Sequence, residues 1–236
     1  MQISKITAIL LASGVIAYSP NVNATGLPST TQLKREFKLQ IAQANLEDAA
    51  KYFNRGNERL EQGDYQGAIA LLTKAIQINP QLDIAYYNRG VARSQLKDNQ
   101  AAIADFTKAI QINPNLDIAY YNRGVIRGKL GNNQAAIADF TQAIQINPKL
   151  EIAYYNRGVA RIQSKDNRGA IADFTKATQL NPELAIAYYN RGVARGLSGD
   201  KQGGITDLRK AVSLFKEQGN EAQAQKALEL IARVGG

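Results

Sequence analysis

Residues Asp83 to Leu116 read DIAYYNRGVARSQLKDNQAAIADFTKAIQINPNL, and Asp117 to Leu150 read DIAYYNRGVIRGKLGNNQAAIADFTQAIQINPKL. The second stretch restates the first after 34 residues. A fixed period of this length marks an array in which each unit buries its apolar face against the next, and it overrides any window-by-window reading. Working outward, a third copy runs Glu151 to Leu184, a more divergent one occupies Ala49 to Leu82, and a fifth begins at Ala185 and drifts after Leu214. Pro80, Pro114, Pro148 and Pro182 each follow an asparagine at the end of a unit.

Each unit divides into two helical stretches. In the second unit Ile84 to Leu96 forms the first, Lys97-Asp98-Asn99 a short polar turn, and Gln100 to Ile112 the second. Asn113-Pro114 ends it, because proline cannot continue the hydrogen-bond ladder and asparagine tolerates the left-handed conformation that closes a helix. Asp83, Asp117 and Glu151 place a negative charge at the positive end of the first helix.

Tyr86, Gly90, Ala102, Phe106, Ala109 and Pro114, with their equivalents one period away, resemble the tetratricopeptide repeat. The resemblance covers Ala49 to about Gln218 and implies an all-α solenoid of five helix-turn-helix units, 49–82, 83–116, 117–150, 151–184 and 185–218. The chain departs from the family at Arg59, Arg93, Arg127, Arg161 and Arg195, where an aromatic is usual, and at Gly204 and Leu208, where Ala and Phe are expected. That last pair predicts looser packing near the end. Residues 219–236 read as a capping helix, amphipathic over 221–234 through Ala224, Leu228, Leu230 and Ile231. Residues 25–48 read as a linker or a helix through Leu33, Phe37 and Ile41.

At about 100° per residue the first helix separates into faces. Tyr86, Arg89, Gly90 and Arg93 fall on the side that packs against the second helix, and Ile84, Tyr87, Asn88 and Val91 fall opposite. The opposite set is expected to line a concave groove. Its rungs are Phe53 and Asn54, Tyr87 and Asn88, Tyr121 and Asn122, Tyr155 and Asn156, Tyr189 and Asn190. An asparagine amide both donates and accepts, so a ladder of them can hold an extended peptide backbone, and tyrosine adds contact area at low entropic cost. The competing reading makes the same side chains packing between units, with asparagine serving local backbone groups. The family's carboxylate-gripping variant, which takes chaperone tails, is matched only in its amides, Asn57 and Asn88, because Phe53, Ile118 and Asn122 stand where it needs cations. The ladder is more similar to that of the sugar-transferase and nuclear-import superhelices.

The arginines facing the second helix meet Asp105, Asp139, Asp173 and Asp207, one period apart. We expect internal pairs Arg89 with Asp105, Arg123 with Asp139, Arg157 with Asp173 and Arg191 with Asp207, each a planar fork on a carboxylate. Leu71 replaces the aspartate in the first unit, which leaves Arg55 without that partner.

Composition narrows function. The chain has 236 residues, 29 Lys and Arg against 20 Asp and Glu for a formal charge of +9, and 44% hydrophobic residues. Cysteine and histidine are absent, so no thiolate nucleophile, imidazole base, disulfide or Cys/His zinc site exists. The recurring carboxylates are spread along the array instead of converging, so no catalytic residue, metal or cofactor is expected. The reading is a non-enzymatic scaffold for a protein or peptide partner, assisting assembly of an envelope or membrane complex. The alternative is a solenoid that associates with itself, between a monomer and a weak oligomer. Arginines turned inward argue against nucleic acid, while the basic excess favours acidic partners or peripheral contact with anionic headgroups.

Met1 to Ala24 carries Lys5, an apolar stretch from Ile6 to Ala17 and the small-residue ending Val22-Asn23-Ala24, the pattern of a secretory signal. The stretch is shorter than the ~18 residues that span a bilayer, which favours cleavage after Ala24 over the alternative of a retained anchor. Export to a periplasm, an internal-membrane lumen or the exterior is therefore expected, and the YYNRG and AIADF wording resembles repeat proteins of photosynthetic bacteria.

Overall fold

A computed structural model describes residues 30–235. The expected signal, 1–24, lies outside the described residues, as does the start of the 25–48 segment. The chain divides after Asn45 into two compact units. The described residues form eleven helices: α1 (Thr30–Glu61), α2 (Tyr65–Ile78), α3 (Asp83–Gln95), α4 (Asn99–Ile112), α5 (Asp117–Lys129), α6 (Asn133–Ile146), α7 (Glu151–Gln163), α8 (Asn167–Leu180), α9 (Ala185–Leu197), α10 (Lys201–Glu217) and α11 (Glu221–Gly235). No described helix is long and apolar enough to cross a membrane.

The segment expected before the array as a linker or a helix is helical over its described residues. α1 runs without a break past residue 48 and supplies the first helix of the first unit. Its earlier part exposes Phe37, Leu39 and Ile41.

Helix boundaries follow local chemistry, though not all by the expected route. The Asp64, Asp166 and Asp200 carboxylates each accept the backbone N–H three residues on, at 2.9 Å, which caps α2, α8 and α10. Asp98 does the same for α4 at 3.4 Å. The asparagine before each proline is extended and not left-handed, with Asn113 at φ −127 and ψ 94. The proline ring clashes with a helical residue before it and drives it to extended backbone. Left-handed backbone falls instead in the turn inside each unit, at Gly63, Lys97, Gly131, Lys165 and Gly199, one per period.

Units interlock through small residues. In the second unit Gly90 lies against Phe106, where a Cβ would come within 2.8 Å of the ring, so only glycine lets the paired helices approach this closely. Ala85 and Ala92 have no exposed surface and pack with Ala68, Leu72 and Ile76 of the preceding unit. Successive first helices α3, α5, α7 and α9 touch one another, whereas no comparable contact joins the second helices α4, α6, α8 and α10. The repeat array therefore curves with its first helices inside and its second helices outside.

The fifth unit corrects the expectation of looseness in part. Leu208 is fully buried, and Gly192 meets the Gly204 backbone so closely that a Cβ on either would lie 2.9 Å from the other's carbonyl oxygen. Removing Cβ and the ring lets the helices close up. Closure is incomplete, and an open cavity of about 350 Å³ remains among Val193, Leu197, Leu208 and Leu230.

Candidate functional site

The inner face is built by α3, α5, α7, α9 and the end of α1. Its tyrosines and its asparagines at 88, 122, 156 and 190 are half-buried, while Asn54 is exposed. Ile84 is exposed, and Val91, Val125, Val159 and Val193 are half-buried between rungs.

Adjacent rungs are bonded to each other. Asn122 Nδ2 donates to the Tyr87 hydroxyl at 3.0 Å, Asn156 to Tyr121 at 3.1 Å, and Asn190 to Tyr155 at 3.1 Å. The groove reading treated each amide as a separate offer to a ligand, and the competing reading had these side chains pack between units with the amide on local backbone groups. The bond between units follows the second in its packing and neither in its partner. The 35-residue spacing between the Tyr and the next unit's Asn is one period plus one and by itself carries no sign of the contact. The two ends differ. Phe53 has no hydroxyl, and Asn88 donates instead to Asn57 Oδ1 at 2.8 Å, Asn57 standing where later units carry valine. Ala224 stands one period after Asn190, so Tyr189 meets no amide there and packs edge-on against Phe215 with ring centroids 6.4 Å apart.

Desolvation by burial raises the Tyr87, Tyr121 and Tyr155 phenols above their ordinary value of 10.0, against a smaller lowering by the asparagine bond. The hydroxyls therefore stay protonated at neutral pH. Each accepts from an asparagine and keeps its own proton to give, while the amide keeps a carbonyl and a second N–H. Between the second and third units Tyr87, Val91, Phe106, Ile118 and Asn122 border a half-open cavity of about 320 Å³. Its lining is mixed: Val91, Phe106 and Ile118 supply the apolar part, and Ser94, Gln95, the phenol and the amide the polar part.

Behind this face lies a charge cluster in each of the last four units. Arg89 Nε and Nη2 donate to the two oxygens of Asp105 at 3.0 and 2.7 Å. Arg93 Nη1 donates to the same carboxylate at 2.8 Å, a second cation that sequence reasoning did not assign. Its position four residues after Arg89, on the same helical face, was the available clue. Arg89 also reaches Thr73 of the preceding unit at 3.0 Å and lies over the Tyr86 ring at 5.4 Å. The same arrangement joins Arg123 and Arg127 to Asp139, Arg157 and Arg161 to Asp173, and Arg191 and Arg195 to Asp207. In the first unit, where Leu71 displaces the carboxylate, Arg55 is exposed and Arg59 bonds Asp64 at the surface. Among the described residues no group of side chains is arranged to hold a metal ion.

Family models match most of the array: a TPR repeat over residues 56–97, and a tetratricopeptide repeat over 84–116 and 118–150 and, by a further model, over 152–184. No curated protein matches the chain. Among solved structures, YrrB, a TPR protein described as having an unusual peptide-binding site, superposes with a TM-score of 0.70 at 23% identity, covering 81% of this chain and 97% of its own. MamA superposes with a TM-score of 0.69 at 23% identity, covering 73% and 94%. PilF of Pseudomonas aeruginosa does so at 0.60 and 17%, covering 81% and 93%.

Proposed function

Because the chain is a tetratricopeptide-repeat protein, we propose that it is a non-enzymatic interaction scaffold whose inner face takes an extended segment of a partner protein. The observation that carries this reading is the rung between units two and three, where the Tyr87 hydroxyl and the Asn122 amide stand beside a cavity of about 320 Å³ bordered by Val91, Phe106 and Ile118 and by the polar Ser94 and Gln95. Such a site fits one side chain with both apolar and polar surface, with phenol and amide left to bond the peptide backbone beside it. Recurrence of the rung at Tyr121 with Asn156 and at Tyr155 with Asn190 favours a partner that runs along the array. The peptide-binding site named for YrrB lends the reading a precedent on the same fold.

The test selects peptides from a displayed library against the native chain, then measures their binding to an Ile118→Glu, Ile152→Glu variant. These isoleucines line the inner face without taking part in the rungs, so the array stays folded, which thermal melting verifies. Selected peptides should lose at least about tenfold in affinity, since a buried unpaired carboxylate is costly. Equal binding by both proteins sinks the groove.

The second reading, self-association, draws on the exposed Phe37, Leu39 and Ile41 of α1 and on Leu197 at 63% exposure. Light scattering at micromolar concentration separates the two, since a monomer excludes it. The pattern of residues 1–24 supports action in an exported compartment, where the scaffold would assist assembly of an envelope or membrane complex. N-terminal sequencing of the mature protein is expected to start at Thr25, and an intact Met1 would refute cleavage.

A further inference from the structure

The second helices turn away from the inner face, and apart from Glu217 the charge exposed on the last two of them is positive. On α8 and α10 the exposed residues include Arg168, Lys176, Lys201, Arg209, Lys210 and Lys216. Among the described residues none of the six takes part in an ion pair. The acids of these two helices do not offset them. Asp173 and Asp207 are buried in the arginine clusters, and Glu217 is the one exposed acid, accepting from Ser213 at 2.7 Å. The capping carboxylates Asp166 and Asp200 are held by their own helix N–H groups and face Arg161 and Arg195. Lys108 extends the stripe on α4, and Gln142 interrupts it on α6. The inner rungs, by contrast, hold only neutral side chains.

We propose that the outer surface of α8 and α10 is an electrostatic docking surface for a lipid bilayer carrying anionic headgroups. The cations ride on long stems along the flanks of two successive second helices, separated by small or neutral residues such as Ala172, Gln179, Thr206 and Ser213. That suits a flat, laterally mobile sheet of charge, which each cation approaches independently and without a pocket. Single-stranded nucleic acid calls for exposed rings on which bases stack, and no exposed aromatic stands on these helices. Duplex reading calls for an element that enters a groove, whereas these cations lie along the sides of packed helices. Docking through the outer surface leaves the inner face open, so the arrangement does not depend on what the groove takes.

Sedimentation of the full chain with phosphatidylcholine vesicles, with and without phosphatidylglycerol, tests this. Binding should require the anionic lipid and collapse at ~0.5 M salt, where charges are screened beyond a few ångströms. Arg168→Gln, Lys176→Gln, Arg209→Gln and Lys210→Gln together should weaken it by roughly several hundredfold, at about fivefold per substitution. Lys51→Gln, Lys129→Gln, Lys149→Gln and Lys226→Gln, which remove the same charge elsewhere, should weaken it about threefold or less. Equal losses in the two variants would make this a net-charge effect and overturn the assignment. So would equal binding to neutral vesicles, the outcome expected of attachment through Ile6 to Ala17. Tighter binding to a DNA duplex than to anionic vesicles, lost with the same four residues, would assign the surface to nucleic acid.

Discussion

The Asp139 carboxylate is 2% exposed and lies between the guanidinium groups of Arg123 and Arg127. Removing it leaves two partly buried cations, Arg123 at 11% and Arg127 at 26% side-chain exposure, without their shared partner, so Asp139→Ala is expected to cost about 3 kcal/mol. Asp117 is less confined. Its oxygens accept from Asn147 at 2.9 Å and from the Ile118 N–H at 2.9 Å, and Asp117→Ala should cost only about 1 kcal/mol. Thermal melts of the two variants should therefore differ by several degrees, and equal shifts would show that the carboxylate between the arginines is not the stabilising element. The phenols give a pH signature. With native values above 10.0, the unfolded tyrosines lose protons first as pH rises past 10, so folding stability is full below that point and falls above it. Absorbance titration should show at least three of the eleven tyrosines ionising late. Tyr121→Phe should remove one of them, and a native chain whose tyrosines all titrate together near 10 would contradict the burial.

At the scale of helices, pairing is governed by where a Cβ fits. A Cβ on Gly124 would come within 2.9 Å of the Phe140 ring, whereas one on Gly128 would meet nothing closer than Ala136 at 3.7 Å. Gly124→Ala should destabilise by about 1 to 3 kcal/mol through overpacking. Gly128→Ala should stabilise by up to about 1 kcal/mol through helix propensity. Denaturant unfolding of both checks the pair, and destabilisation by Gly128→Ala would mean that propensity is outweighed by a contact at 3.7 Å. Helix pairing was legible in the sequence because the small residues, the aromatics and the Asn-Pro stops recur at one period. The pair of Arg89 with Asp105 was legible for the same reason, through helical faces. The second arginine was less so, because one carboxylate taking two forks leaves no trace in a one-to-one count. The tyrosine-to-asparagine bonds were obscured because periodicity shows which residues are equivalent, but not which face each other across a boundary between units. The asparagine before proline misled through a helix-closing rule that steric clash with the ring overrides.

At the scale of the array, each unit is held by its two neighbours, so the last one depends on the helix that caps it. Leu214 and Phe215 of α10 are buried with Ala224 of α11. Deleting residues 219–236 uncovers them, and burial of two large apolar side chains is worth about 1.5 to 3 kcal/mol each. Amide exchange should then accelerate in α9 and α10 far more than in α5, since opening spreads from a free end. Uniform acceleration would indicate that the array opens as a whole. The opposite end holds a different kind of information in the Asn88 to Asn57 bond. Interior units are so alike that a chain folding one unit out of step would satisfy nearly every contact it makes. At Asn57 the partner changes from phenol to amide. With Leu71 in place of the aspartate and Phe53 in place of the tyrosine, this change of chemistry acts as a starting mark, telling near-identical modules which of them comes first.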